Sequence, residues 1–413
     1  MSKTVTPLHP RFLRSRLEAG LAKSPAVSVV GPRQSGKSTL ARAIVGLSAY
    51  RTLDDPFTAN EVESDPVGFL RGLPVPAAID EVQHAPALLR AVKLVIDEDR
   101  RPGRFLLTAS ADVLSIPQIS ESLAGRTRFH TLLPLAQAEF RGGRGTFLDD
   151  LLSVDDLQSD QETALGRPDL SQLVTRGGFP VAVAEPEPQE RGLWLRDYLT
   201  ALIQRDLRDL GAVRQISQVP RLLTIVAAQS PGDLNTSALS SEIGLNRATI
   251  ERYLGLLEQT FILRRIPAWH ANIRTQQIRS PKTLVVDPGL HCQLLGLDEA
   301  QLAKDPVRLG RIVEGFVGSE LLKLMSWSDR EWRLHHWRSQ HNEVDFVLEA
   351  GDEIVGIDVK LSTAVTGGDF RGLRALQSAE PRRFRRGIIL YAGARAGSFG
   401  PGLAAVPISA LWE

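Results

Sequence analysis

The octapeptide Gly31-Pro32-Arg33-Gln34-Ser35-Gly36-Lys37-Ser38 constrains the fold of this chain more than any other stretch. It is a complete G-x-x-x-x-G-K-[ST] loop, and its flanks suit it. The apolar run Ala26-Val27-Ser28-Val29-Val30 before it reads as a buried strand, and Thr39 to Val45 after it reads as a helix. Between a strand and a helix, successive backbone N–H groups of such a loop wrap phosphate oxygens, helped by the positive end of the helix. Gly31, Pro32, Arg33, Gln34, Ser35, Gly36, Lys37, Ser38 and Thr39 are therefore candidate ATP-binding residues. Lys37 is placed to reach the β- and γ-phosphates, and the Ser38 hydroxyl to hold Mg²⁺. The expectation is an α/β nucleotide-binding domain with ATP and Mg²⁺ as cofactors.

A second strand pattern, Pro76-Ala77-Ala78-Ile79, ends in Asp80-Glu81. Asp80 is the expected Mg²⁺ ligand through water, and Glu81 the base that polarises the attacking water. A third pattern, Arg104 to Ser110, ends in hydroxyl residues, which makes Thr108 and Ser110 candidates for sensing the γ-phosphate. Ser122-Leu123-Ala124-Gly125-Arg126-Thr127-Arg128 follows. Arg126 is the candidate cation for transition-state charge, in cis or across a subunit interface, with Arg128 in reserve.

These segments occur together with Thr52-Leu53-Asp54-Asp55, Val82-Gln83, Leu132-Leu133-Pro134-Leu135 and Glu139-Phe140. In that order they resemble the bacterial and archaeal AAA-type ATPases of the AAA_14/DUF4143 family. Ala109 departs from the glycine common at that strand end, a small change. The resemblance implies an AAA-type ATPase domain followed by a C-terminal domain characteristic of the family.

At 413 residues the chain is too long for one ordinary core. No run approaches the 18 apolar residues of a membrane span, and Met1 to Pro10 has no signal-peptide core. The single cysteine, Cys292, excludes an internal disulfide framework, so a reducing cytoplasm is the expected location. A net charge of +1 gives no global attraction to nucleic acid, which leaves local patches such as Pro381 to Arg386.

The predicted organisation is an ATPase domain over 1–145, a linker and helical connector over 146–225, a winged helix-turn-helix over 226–270 and a nuclease-like domain over 271–413. Trp194 to Leu210 reads as one helix with a stripe of Leu195, Tyr198, Leu199, Leu202, Ile203 and Leu207. Asn235-Thr236-Ser237 caps a short helix ended by Gly244. Asn246 caps a second, Arg247 to Gln259, and Phe261 to Ile266 reads as a strand. Helix, tight turn, helix and strand is the plan of a winged helix-turn-helix, with Arg247 and Arg252 as candidate nucleic-acid contacts.

Towards the C-terminus, Glu314 lies on an amphipathic helix, Asp345 on one predicted strand, and Asp358 with Lys360 on the next. Side chains alternate along a strand, so Asp358 and Lys360 share a face. This series resembles the PD-(D/E)xK nuclease superfamily and implies a restriction-endonuclease-like α/β domain. Asp345, Asp358 and Glu314 would then bind Mg²⁺, Lys360 would act on the attacking water, and Arg338 would guide a phosphate backbone.

The expected function is ATP hydrolysis coupled to action on DNA, by remodelling, translocation or controlled metal-dependent cleavage. The alternative is a nucleotide-controlled binding switch, or a defence or signalling ATPase, whose nuclease-like domain recruits DNA or protein without cutting. DNA is the expected partner, with a protein partner in the alternative. A homo-oligomer follows if Arg126 acts in trans.

Overall fold

A computed structural model describes residues 9–44, 46–110, 123, 125–153, 164–206, 216–272, 276, 280–339 and 341–413. Ser122 and Ala124 of the arginine motif, Leu207 of the connector helix and much of the acidic stretch after Ser153 lie outside them. The chain divides into two compact units. One is Pro10–Leu135 with Gln259–Phe261, and the other comprises the remaining segments, Met1–His9, Ala136–Glu258 and Ile262–Glu413.

The first unit is built on a parallel five-stranded sheet of β1 (Ala26–Val30), β2 (Ala49–Thr52), β3 (Ala77–Asp80), β4 (Phe105–Ala109) and β5 (Thr127–Thr131). Their spatial order is β2-β3-β4-β1-β5. β1, β3 and β4 are buried along their whole length, while the edge strands are half-buried. Central strands covered on both faces must be apolar throughout, which is what Ala26–Val30 and Phe105–Ala109 supply. Alternation divides them between two cores. Ala26, Val30, Ile79 and Leu107 pack on one face, and Val27, Val29, Ala78 and Leu106 on the other.

In the second unit, the helix Val219–Gln229 is followed by β6 (Gly232–Asp233), the helices Thr236–Ile243 and Arg247–Gln259, then β7 (Leu263–Ile266) and β8 (Lys282–Val285). The caps read from the sequence form. Asn235 Oδ1 accepts from Ala238 N at 3.0 Å, Asn246 Oδ1 accepts from Thr249 N at 2.8 Å, and Gly244 adopts the left-handed conformation at φ 78°. β8 is the central strand of a three-stranded sheet ordered β6-β8-β7. The sequence division at 270 separates β7 from this partner, because the pairing spans residues with no strand pattern of their own. The helix from Pro188 also differs from expectation. It is α-helical to Ala201 and continues as a π-helical turn over Leu202–Asp206.

The rest of that unit carries the helix Pro306–Met325, then β9 (Arg333–Arg338), β10 (Glu343–Ala350), β11 (Glu353–Lys360), the helix Arg371–Ala379, and β12 (Phe384–Tyr391). β13 (Gly397–Ser398) and β14 (Leu403–Pro407) complete a mixed sheet ordered β13-β14-β12-β11-β10-β9. β9, β10 and β11 are antiparallel, and β11, β12 and β14 run parallel. Val344, Phe346, Val347 and Leu348 are all fully buried, so β10 is covered on both faces. Gly372 permits the close docking of its helix, since a Cβ there would lie 2.1 Å from the Glu343 carbonyl oxygen.

Candidate functional site

The phosphate loop leaves β1 and enters the helix Lys37–Ala43 through two left-handed residues, Gln34 at φ 62° and Gly36 at φ 96°. A Cβ on Gly31 would lie 2.2 Å from the Leu132 carbonyl oxygen, so only glycine lets the loop leave the strand here. The Arg11 guanidinium donates to Ser35 O at 2.5 Å and to Leu133 O at 2.6 Å, and so props the loop from outside. Lys37 is buried, and its ammonium donates to the loop carbonyls of Gly31 at 3.0 Å and Pro32 at 2.8 Å. It is thus folded over the cradle its own loop makes.

The strand order sets β4 between β1 and β3, so the hydroxyl residues ending β4 stand beside the carboxylates ending β3. The Thr108 hydroxyl donates to Asp80 Oδ1 and accepts from Glu81 N at 3.2 Å. Ser110 Oγ meets the two Glu81 carboxylate oxygens at 2.8 and 2.7 Å. Gln83 donates its amide to Glu81 Oε2 and accepts from Ser110 N at 3.2 Å. Glu81 itself takes the left-handed conformation, φ 61°, a strained choice for a side chain with a Cβ. The arrangement aims one acid, Asp80, from the strand end and the other, Glu81, from the turn that follows.

Sequence reasoning missed Tyr50. Its hydroxyl donates to Asp80 Oδ2 at 2.5 Å, so both Asp80 oxygens are held by hydroxyls. Burial and the Asp80 carboxylate push the phenol up to about 12, which keeps it a donor. The signal lies in register: β2 pairs with β3 in parallel, with Thr52 beside Asp80 and Tyr50 beside Ala78.

Arg126 is held by Asp97 on the helix Pro86–Glu98, with Nε–Oδ1 at 2.8 Å and Nη2–Oδ2 at 2.7 Å. Its hydrogen bonds hold the Asp97 carboxyl below the usual carboxylate range. The pair is partly exposed, with side-chain exposures of 21% and 32%.

In the second unit, Arg338, Asp345, Asp358, Lys360, Asp369 and Arg371 line an open cleft of about 780 Å³. The structure therefore brings Asp345, Asp358, Lys360 and Arg338 together. Asp345 N donates to Asp358 Oδ1 at 3.0 Å, and Val359 N donates to Asp345 Oδ2 at 2.9 Å. The two acids are thus tied to the backbone of β10 and β11. Burial, and then the neighbouring Asp345 charge, push both Glu314 and Asp358 up to about 7.

Glu314, the third acid of the expected metal set, meets Lys282 at 2.5 Å, a residue the sequence reading passed over. Among the described residues, no three His, Cys, Asp or Glu side chains stand where they could hold a metal ion. The Arg338 guanidinium is engaged by Asp233 and, at 2.7 Å, by Glu343. Arg247 and Arg252 are exposed on their helix, as the periodicity required, with Ile250, Tyr253, Leu254 and Leu257 turned inward.

A parallel sheet with a phosphate loop after β1 and an Asp-Glu pair after β3 defines a P-loop domain of the AAA ATPase type. The comparisons agree. Residues 23–141 match the model of an AAA domain, 167–301 a domain of unknown function (DUF8612), and 309–411 another (DUF4143). An uncharacterized protein of Mycobacterium tuberculosis is 31% identical over 354 residues, covering 85% of this chain and 73% of that protein. A Haemophilus influenzae protein, also uncharacterized, is 22% identical over 289 residues, covering 68% of this chain and 64% of its own length. The chain belongs to the family of the mycobacterial protein, and its own residues match an AAA domain followed by DUF4143. Among solved structures, a Walker-type ATPase of Pyrococcus abyssi is similar at 16% identity with a TM-score of 0.41, over 70% of this chain and 99% of that one. Among the described residues, no helix is long and apolar enough to cross a membrane.

Proposed function

We propose that the protein hydrolyses ATP and couples hydrolysis to the engagement of DNA. The observation that carries the ATPase reading is the pairing of a phosphate loop on β1 with Asp80 and Glu81 at the end of β3, one strand removed, each acid held by a hydroxyl from β4 or the residue after it. The hydroxyl of Ser38 and the buried carboxylate of Asp80 are hard oxygen donors beside that loop. They fit Mg²⁺, which would supply charge neutralisation at the β- and γ-phosphates. Lys37 leaves its loop carbonyls for the phosphate oxygens, Glu81 orients the lytic water and accepts its proton, and Arg126 neutralises charge on the leaving phosphate once released from Asp97.

The DNA reading is supported by the run helix, β6, helix, helix, β7, β8 with its β6-β8-β7 sheet, which is the winged-helix plan, and by the exposed Arg247 and Arg252 on its second helix-turn-helix helix. The helix Pro306–Met325 followed by β9, β10, β11, a helix and β12, with Asp345, Asp358 and Lys360 in one cleft, supports a restriction-endonuclease-like fold. Of the two routes for that cleft, cleavage and binding without cleavage, the Lys282 contact with Glu314 favours the second.

The test is DNA affinity over a salt series for wild type and Arg247→Ala/Arg252→Ala. Loss of two phosphate contacts weakens binding and flattens the slope of log K against log salt by about 2. An unchanged slope and affinity would assign the helix to protein packing.

A further inference from the structure

Lys282 begins β8, and its side chain is 3% exposed. Its ammonium lies 2.5 Å from Glu314 Oε1, 3.8 Å from Glu343 Oε1 and 3.8 Å from Asp345 Oδ1, and 5.4 Å from the centre of the Phe346 ring. Burial opposes this charge, yet the carboxylates outweigh burial and hold the ammonium above the ordinary lysine range. Glu314, Glu343, Asp345 and Asp358 come from the helix Pro306–Met325 and from β10 and β11. Carboxylates crowded in this way repel one another, and such a cluster is relieved by protonation or by a cation among them.

A divalent metal is one such cation, but it needs several oxygens within about 2.0–2.6 Å of one point. The oxygens here do not meet that demand. Asp345 Oδ2 and Asp358 Oδ1 are occupied by strand amides, and Glu314 and Asp345 Oδ1 face an ammonium. We infer that Lys282 is the resident cation of the C-terminal cleft, standing among Glu314, Glu343 and Asp345 where a catalytic metal would have to bind and excluding it. The inference rests on the reading of this cleft as restriction-endonuclease-like. It makes that cleft a site whose carboxylates serve to hold an internal lysine, so phosphodiester cleavage is not its chemistry. Lys360, on β11 beside Asp358, is then left to contact a ligand in the cleft, such as a phosphate group.

The experiment is a Mn²⁺ titration followed by electron paramagnetic resonance on the full chain without nucleotide. An Asp80→Asn background removes metal binding at the phosphate loop. The Asp80→Asn chain takes up no Mn²⁺ in the cleft. Adding Lys282→Met opens a Mn²⁺ site, and further adding Asp345→Asn weakens it at least about tenfold. Mn²⁺ uptake by the Asp80→Asn chain that is lost on adding Asp358→Asn overturns the inference. So does a folded Lys282→Met chain that gains no metal. If circular dichroism shows Lys282→Met unfolded, the Asp80→Asn titration against its Asp358→Asn form decides alone. DNA affinity of Lys360→Ala in EDTA is read separately. Its failure to fall would remove the nucleic-acid reading of the cleft and leave the Mn²⁺ result standing.

Discussion

Asp80 is held by two hydroxyls from two different strands, and this sets the test at the scale of single residues. Tyr50→Phe removes one donor and leaves the ring. The freed carboxylate oxygen turns towards Thr108, and kcat falls about tenfold with ATP affinity nearly kept, since the lost hydrogen bond is to a charged group. A steady-state assay over a Mg²⁺ series reads this, and an unchanged kcat would contradict it. The phenol's raised pKa has a definite sign. Folding favours its protonated form, so that contribution is complete below pH 10 and disappears as pH rises towards 12. Arg126 supplies a second test. Arg126→Ala lowers kcat by more than about tenfold while Asp97→Ala does not, because in the proposed mechanism only the arginine acts on the phosphate. Equal effects from the two variants would make the pair structural. The loop Gly31 to Ser38 and the positions of Asp80, Glu81 and Ser110 at strand ends were legible because each sits within a local pattern. Tyr50 and Lys282 were not. Each reaches its acid across a strand pairing or a helix packing, and β8 offers no alternation by which to place Lys282.

Elements were read well where a cap or an apolar run marks them, as at Asn235, Gly244 and Asn246. The β7–β8 pairing escaped, because strands this short carry their specificity in what they pack against. Two elements are tied to pH, each through a buried histidine. His291, on the helix Pro288–Leu294, meets the Ala227 carbonyl at 2.8 Å through Nε2, and burial pushes it down to about 4. His336, on β9, is likewise pushed down to about 4 by burial, then by the Lys282 charge. Folding favours their neutral forms. The stability is therefore fully present above pH 6.5 and is lost as pH falls towards 4, on the order of 3 kcal/mol for His291. Urea melts at pH 7 and pH 4.5 measure this. His291→Gln should shrink the difference between them, and an equal difference in the variant would contradict the assignment. Gly372→Ala is the packing test, since its Cβ meets the β10 backbone. Stability falls by about 1–3 kcal/mol, with the helix Arg371–Ala379 displaced from the cleft.

For the whole molecule, the division into an ATPase unit and a larger second unit predicts that the proposed ATP hydrolysis and DNA engagement are separable by substitution. Lys37→Ala is expected to silence the first, and Arg247→Ala/Arg252→Ala to weaken the second. Their coupling is the central claim, and it is measured most directly by the rate of ATP hydrolysis with no DNA and with single-stranded, duplex or branched DNA. The account predicts hydrolysis by the wild-type chain, stimulation by at least one DNA form, loss of both in Lys37→Ala, and loss of stimulation alone in Arg247→Ala/Arg252→Ala. Hydrolysis indifferent to every DNA would contradict the coupling to DNA and turn the search to a protein partner. Hydrolysis that persists in Lys37→Ala would contradict the site itself.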